Sequence, residues 1–158
     1  MDDRERYMRE ALAEAEAAAE AGEVPVGAVI VRDGQIVARA HNLVETDRRS
    51  YAHAEMLAVQ RAEEALGAKW LIGCDLYVTL EPCAMCAGAL VLARLRAVYI
   101  GAMDPKNGAC GSVCNIVQNE RLNHRVELES GILGEECGQI LSEFFRQMRK
   151  VRLRERTI

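Results

Sequence analysis

Two strand-like runs, Val26 to Arg32 and Gln35 to Ala40, are separated only by Asp33-Gly34. An Asp-Gly pair between apolar runs closes a two-residue hairpin, because both central residues then need positive φ. The chain therefore contains an antiparallel strand pair near its start, and the rest must pack around it.

Around this hairpin, helical and strand-like segments alternate. Met8, Ala11, Leu12, Ala15, Ala18 and Ala19 recur at helical steps over residues 4–21, and Gly22 stops the helix. Asn42 to Ala52 is polar and irregular. His53 to Ala65 is alanine-rich, lacks a breaker and runs to Gly67, which predicts a helix. Asp75 to Thr79 is a short strand. Pro82 then sits at about the first position of a helix reaching Leu92, where a missing N–H costs nothing. Ala97 to Ala102 is another strand, 104–112 a turn-rich loop and Arg125 to Glu129 a last strand. A closing helix from Glu135 to about Arg152 puts Cys137, Ile140, Leu141, Phe144, Phe145, Met148 and Val151 on one face. Helices alternating with strands imply a sheet covered on both faces, a three-layer α/β/α arrangement, and the hairpin makes that sheet mixed. With 158 residues and no repeat or linker, residues 1–158 read as a single domain with a basic C-terminal helix end.

The net charge of −4 conceals an uneven distribution. Residues 143–158 carry Arg146, Arg149, Lys150, Arg152, Arg154 and Arg156 against Glu143 and Glu155. A basic end of this kind can act on a phosphate backbone or simply be a solvated helix end, and charge alone leaves Arg149, Lys150 and Arg152 open between the two. The N-terminus is charged with no apolar segment after it, so no signal peptide is expected. No apolar run approaches a membrane span, and a cytoplasmic location is the expectation.

The six cysteines do not form a disulfide-like framework. Instead Pro82-Cys83-Ala84-Met85-Cys86 follows His53-Ala54-Glu55 by about thirty residues. Cysteines three apart share one helix face, and the first turn stabilises thiolates. His53 with Cys83 and Cys86 makes a Cys₂His set, whose open fourth position marks a catalytic rather than a structural zinc site. Two thiolates cancel the charge of the ion, so a carboxylate beside its water becomes more useful. Glu55, two residues past His53, is placed for that proton transfer. A closed site with Cys110, Cys114 or His124 as fourth ligand would leave Glu55 without a task. Cys74 and Cys137 read as fillers, and His41 and His124 as structural.

These residues form the H-x-E…P-C-x-x-C signature and resemble the cytidine and deoxycytidylate deaminase superfamily. Pro25-Val26-Gly27-Ala28, Asn42, Thr79 to Ala89, Asp104-Pro105-Lys106, Gly111-Ser112, Leu122 to Val126 and Phe144-Phe145 extend the likeness, nearly chain-long, to the bacterial tRNA-specific adenosine deaminases. Cys110 and Cys114 depart from that pattern, standing where alanine and an aliphatic residue are usual. Asn115 replaces a common aspartate.

The resemblance implies a cytidine-deaminase-like fold, one zinc per subunit, a homodimer and a tRNA anticodon stem-loop as substrate. It implies that a zinc-activated water attacks C6 of the wobble adenosine, that Glu55 shuttles protons, and that ammonia leaves inosine behind. It gives Asn42 a hydrogen bond to the base, Val26 a place in the pocket wall, and Asp104 a contact with the target or a neighbouring nucleotide. Phe144, Phe145 and Arg146 fall near the flanking nucleotides, and Glu81 orients the site through its backbone. The competing readings are a deaminase of free guanine, cytosine or a nucleoside, and a non-catalytic zinc module that binds RNA.

Overall fold

A computed structural model describes residues 2–156. Five strands form one sheet in the order β2-β1-β3-β4-β5. They are β1 (Gly27–Arg32), β2 (Gln35–His41), β3 (Cys74–Leu80), β4 (Ala97–Ala102) and β5 (Glu127–Ser130). β1 runs antiparallel to both β2 and β3, while β3, β4 and β5 are parallel. Asp33 and Gly34 take φ of 50° and 75°, so the hairpin turn has the two positive φ angles its sequence demands.

Strand alternation divides the core in two. Val29, Val31 and Tyr77 point to one face, where they meet Tyr7, Met8, Ala11 and Leu12 of α1 (Asp3–Glu20) and Cys137. The rings of Tyr7, Tyr77 and Tyr99 form a row with centroids 5.2 and 4.6 Å apart. Ala28, Ile30, Leu76, Val78, Val98 and Ile100 point to the other face, beneath α3 (Ala54–Leu66) and α4 (Ala84–Leu92). A mixed sheet between helical layers is the three-layer arrangement expected from the sequence. α1 is capped by Asp2, whose carboxylate accepts the Glu5 N–H at 2.9 Å, and α3 ends on Gly67 at φ 63°.

The structure corrects two expectations. The stretch after β2 is not wholly irregular, since Val44–Asp47 forms a short helix, α2. Pro82 lies outside α4, which begins at Ala84. Its carbonyl accepts the Ala109 N–H at 2.8 Å, and the first turn of the helix instead closes from Ala87 N–H to Cys83 C=O.

The closing helix, α5 (Gly134–Arg156), forms where the sequence places it and runs a little further than expected. Only Cys137 of its apolar face is buried, and Phe145, Val151 and Leu153 are exposed. Its first turn docks on β4, where a Cβ on Gly101 would come within 2.4 Å of the Cys137 sulfur, so Cys137 fills space against the sheet. A helix of 23 residues extends about 35 Å. A six-residue strand covers only about 20 Å, so the rest of α5 passes beyond the sheet. No helix among the described residues is long and apolar enough to cross a membrane.

Candidate active site

Two helix N-termini meet at the end of the sheet where β2, β3 and β4 finish. His53 is the N-cap residue of α3 and Cys83 that of α4, both with extended backbone. Neither side chain caps its own helix, which leaves His53 Nδ1 and Cys83 Sγ free to face one another. Cys86 reaches the same point from the third residue of α4. His53 Nδ1 lies 3.6 Å from Cys83 Sγ and 3.5 Å from Cys86 Sγ. All three donor atoms fall within 4.8 Å of one another, and among the described residues no other such group of His, Cys, Asp or Glu donors occurs.

This spacing fits a metal ion. For Zn–S bonds near 2.3 Å and Zn–N bonds near 2.0 Å, a tetrahedral angle separates sulfur from nitrogen by about 3.5 Å. Two soft thiolates and an imidazole also match zinc chemically. Without an ion the cluster shares protons. Cys83 is lowered to about 3 by hydrogen bonds from the Cys86 thiol and from His53, and Cys86 is raised in turn by its bond to Cys83 and by burial. His53 is raised, first by its bond to Cys83 and then by the charge on Glu55.

Glu55 is buried on α3, beside Cys86 and His53. Because His53 sits at the extended N-cap, their two-residue offset is not a helical one, and both side chains can serve one centre. In the metal-free cluster, burial raises the Glu55 carboxyl to about 7.

The centre opens into a pocket of about 580 Å³, bordered by Val24, Val26, Asn42, Glu45, Leu80, Met85, Asp104 and Asn107. This volume suits a nucleobase-sized ligand. Asn42 is buried and fixed, with its Nδ2 donating to Val24 C=O at 3.2 Å and its Oδ1 accepting the Val44 N–H at 3.1 Å. Asp104 turns one carboxylate oxygen back to the N–H groups of Lys106 and Asn107.

A second groove, of about 610 Å³, adjoins the pocket and shares Val24 and Glu45 with it. Phe145, Arg149 and Arg152 of α5 line it. Arg146 does not. It ion-pairs with Glu143 and lies along the cleft between α1 and α5, which Arg149 also borders and which contains none of His53, Glu55, Cys83 or Cys86. Phe145, Arg149 and Arg152 stand at i, i+4 and i+7, a spacing that marks one helix face and was available as a sequence signal.

The remaining candidates lie elsewhere. His124 Nε2 is 2.6 Å from Leu95 C=O, and His41 lies 3.7 Å from Glu14. Cys110 is buried, its thiol raised to about 12 by that burial, and Cys114 is exposed. Neither joins the three donors.

Sequence reasoning missed Glu23, and it placed the influence of Glu81 in the backbone when the carboxylate exerts it. Glu81 accepts hydrogen bonds from Asp104 N–H, Cys110 N–H, Ser112 N–H and the Ser112 hydroxyl. Glu23 accepts from Glu45 N–H at 3.0 Å and Thr46 N–H at 2.6 Å.

Comparison with known proteins gives a consistent set of likenesses. The profile of the MafB19-like deaminase family matches residues 2–149. The tRNA-specific adenosine deaminase of Bacillus subtilis is 59% identical over 92% of this chain and 91% of its own. That of Aquifex aeolicus is 51% identical over 92% of this chain and 96% of its own. A structure from work on A-to-I editing by tRNA:A34 deaminases superposes with a TM-score of 0.83 at 45% identity, covering 86% of this chain and 99% of the other. A Bacillus subtilis guanine deaminase superposes at 0.61 with 42% identity over 65% of this chain and 66% of its own.

Proposed function

We propose a reaction for this chain from the premise that it belongs to the MafB19-like deaminases and, among them, to the tRNA-specific adenosine deaminases. It is a hydrolase that deaminates adenosine in tRNA. The finer reading is that the target is the wobble adenosine of an anticodon loop and the product inosine. The observation that carries the chemistry is the convergence of three metal-ligating atoms beside one buried carboxylate at the floor of a base-sized pocket.

In this reading His53, Cys83 and Cys86 hold zinc. The ion supplies Lewis acidity that makes a water nucleophilic near neutral pH. Glu55 accepts a proton from the attacking water and delivers it to N1 of adenine. It then carries the proton of the new C6 hydroxyl to the amino group, so that the C6–N bond breaks, ammonia leaves and the C6 carbonyl of inosine forms. Water and adenosine thus become inosine and ammonia. Asn42 keeps a second N–H and one further lone pair for the base edge beyond its two protein contacts. Val26 gives the ring an apolar wall, and the second carboxylate oxygen of Asp104 is available to the target or its neighbour. An anticodon-loop base is already weakly stacked, so turning it into a pocket costs less than from a duplex.

The adjoining groove suits the flanking nucleotides, with Phe145 as a stacking surface and Arg149 and Arg152 as phosphate partners. The electrostatic role expected of Arg146 is assigned in this reading to those two, because Arg146 does not border the groove. The same reading, through the family resemblance, makes the enzyme a cytoplasmic homodimer with one zinc per subunit.

The test is incubation with a full-length tRNA carrying adenosine at the wobble position, followed by sequencing for inosine. Conversion confined to that adenosine is the expected result. Likeness to a guanine deaminase motivates the second reading, a free-base substrate. Ammonia released from guanine, with the tRNA unchanged, would establish that reading instead.

A further inference from the structure

Two acidic side chains at the pocket end of the sheet are buried and hydrogen-bonded to backbone rather than to a basic side chain, and each holds a loop. Glu23, fully buried, accepts the N–H groups of Glu45 and Thr46, the first turn of α2. Glu81, nearly as enclosed, accepts three N–H groups and one hydroxyl from Asp104, Cys110 and Ser112. Gly108 is shaped to that carboxylate, since a Cβ there would come within 2.1 Å of Glu81 Cδ.

The two loops leave the sheet from β2 and β4, on either side of β1 and β3. Both reach the pocket, one through Asn42 and Glu45, the other through Asp104 and Asn107. Each loop has some backbone bonds of its own, among them Leu43 N–H to Ala52 C=O at 3.0 Å in the first, and Gly108 N–H to Asp104 C=O and Val113 N–H to Gly108 C=O at 2.9 Å in the second. Neither loop belongs to the sheet, since α2 is a single turn and the bridge between Cys110 and Asn115 is isolated, so the two carboxylates add fixing contacts that regular pairing does not supply. A carboxylate that gathers several N–H groups from one loop leaves that loop a single favoured conformation.

We infer that Glu23 and Glu81 are positioning residues for the RNA substrate, each fixing one wall of the pocket mouth before substrate arrives. The inference rests on the reading of the pocket as the target-nucleotide site. Both border the pocket, but their carboxylates bond the loops rather than His53, Glu55, Cys83 or Cys86. Each acts through the residues it holds, Glu23 through the segment that follows Asn42 and Glu81 through Asp104 and Asn107. A loop released from its anchor spends only part of its time in the binding shape, and apparent affinity falls by that fraction.

The experiment uses the zinc-loaded enzyme and an anticodon stem-loop RNA with adenosine at the wobble position. Glu23→Gln and Glu81→Gln are compared with wild type for kcat, KM, zinc content and amide hydrogen exchange. Each variant is expected to raise KM by about tenfold, as for a loop only a tenth of the time in its binding shape, while zinc content and kcat stay within about threefold. Faster exchange is expected at Glu45 and Thr46 in the first variant, and at Asp104, Cys110 and Ser112 in the second. Glu23→Asp and Glu81→Asp should recover part of the lost affinity.

An unchanged KM in a folded, zinc-loaded variant overturns the inference, as does loss of kcat that merely tracks loss of zinc or folded protein. If Glu81→Gln does not fold, Ser112→Ala decides for that wall. It removes one of the four bonds, so KM should rise about threefold if the anchor matters and stay put if it does not. Wild-type enzyme that fails to deaminate the stem-loop would instead overturn the reaction assignment, a result separable from active wild type with unaffected variants.

Discussion

The metal-ligating centre and the outer half of α5 are built in opposite ways. His53, Glu55, Cys83 and Cys86 sit on the first turns of two helices pressed against the sheet, and their positions are fixed by the core around Ala54, Ala58, Ala87 and Leu90. Phe145, Arg149 and Arg152 sit on a helix that has run past the sheet, largely exposed. In the proposed reading the difference follows from what each part must do. Moving a proton requires groups held to within about half an ångström, which only a packed scaffold provides. Gripping a phosphate backbone requires charge and reach, which a solvated helix supplies. Chemistry and grip should therefore be separable by mutation.

The largest expected effect strikes the centre. Cys86→Ser removes one of three ligands, so bound zinc and deamination should both fall to background, whereas exposed Cys114→Ser should keep zinc at the wild-type level. Metal analysis of the two purified variants checks this, and a zinc-free Cys114→Ser protein would widen the centre beyond the three residues.

On the helix, Arg149→Ala with Arg152→Ala should raise KM for tRNA by about tenfold and leave kcat within about twofold. It should also flatten the salt dependence of binding, by about 0.7 in logarithmic slope for each single-strand phosphate no longer neutralised. A variant with lower kcat and unchanged KM would place these arginines with the chemistry and break the comparison. Arg146→Ala, by contrast, should change KM by less than about twofold, because Arg146 pairs with Glu143 along the α1 cleft.

Folding stability gives a smaller, pH-dependent effect in the metal-free protein. Burial raises the folded-state Glu55 carboxyl to about 7, above its unfolded value. The folded state thus holds this proton more tightly, and that stabilisation is present at acid pH and lost as pH rises through about 7. Metal-free Glu55→Gln should therefore be more stable than metal-free wild type at pH 8, by up to about 3 kcal/mol, with the gain vanishing near pH 4. Thermal unfolding at both pH values reads this out.

Glu23 runs the other way and more weakly. Burial alone would raise it, but hydrogen bonds from Thr46 and from the Glu45 and Thr46 N–H groups bring it below its ordinary value. Its stabilisation is present above the unfolded carboxylate range and lost as pH falls below it. Glu23→Gln should thus flatten the acid limb of the stability curve, a difference of a few degrees in Tm.

What the sequence made legible follows from locality. The Asp33-Gly34 turn, the stop at Gly67 and the Cys83–Cys86 spacing are set by neighbours a few residues apart, and each is found where its residues demand it. The anchors are not legible in that way. Glu81 meets Ser112 across 31 residues and Glu23 meets Glu45 across 22, and no local pattern records either pairing. α5 shows both sides of this. Its helical period is plain, but which arginine faces the groove depends on how the helix docks. Arg146 and Arg149 differ in direction by only about one-sixth of a helical turn, and the docking selects Arg149. The apolar stripe of α5 is likewise legible as a stripe, yet its exposure is not, because the sheet beneath ends before the helix does.

The most direct measurement is a single-turnover assay of wild type and Glu55→Gln on a tRNA with adenosine at the wobble position, with zinc determined on the same samples. The account predicts one zinc per subunit in both proteins, inosine at the wobble position with wild type, and a rate at least about 10²-fold lower in the variant, the minimum expected for loss of a positioned proton carrier. Comparable rates in the two zinc-loaded proteins, or full activity in wild type stripped of zinc, would contradict it.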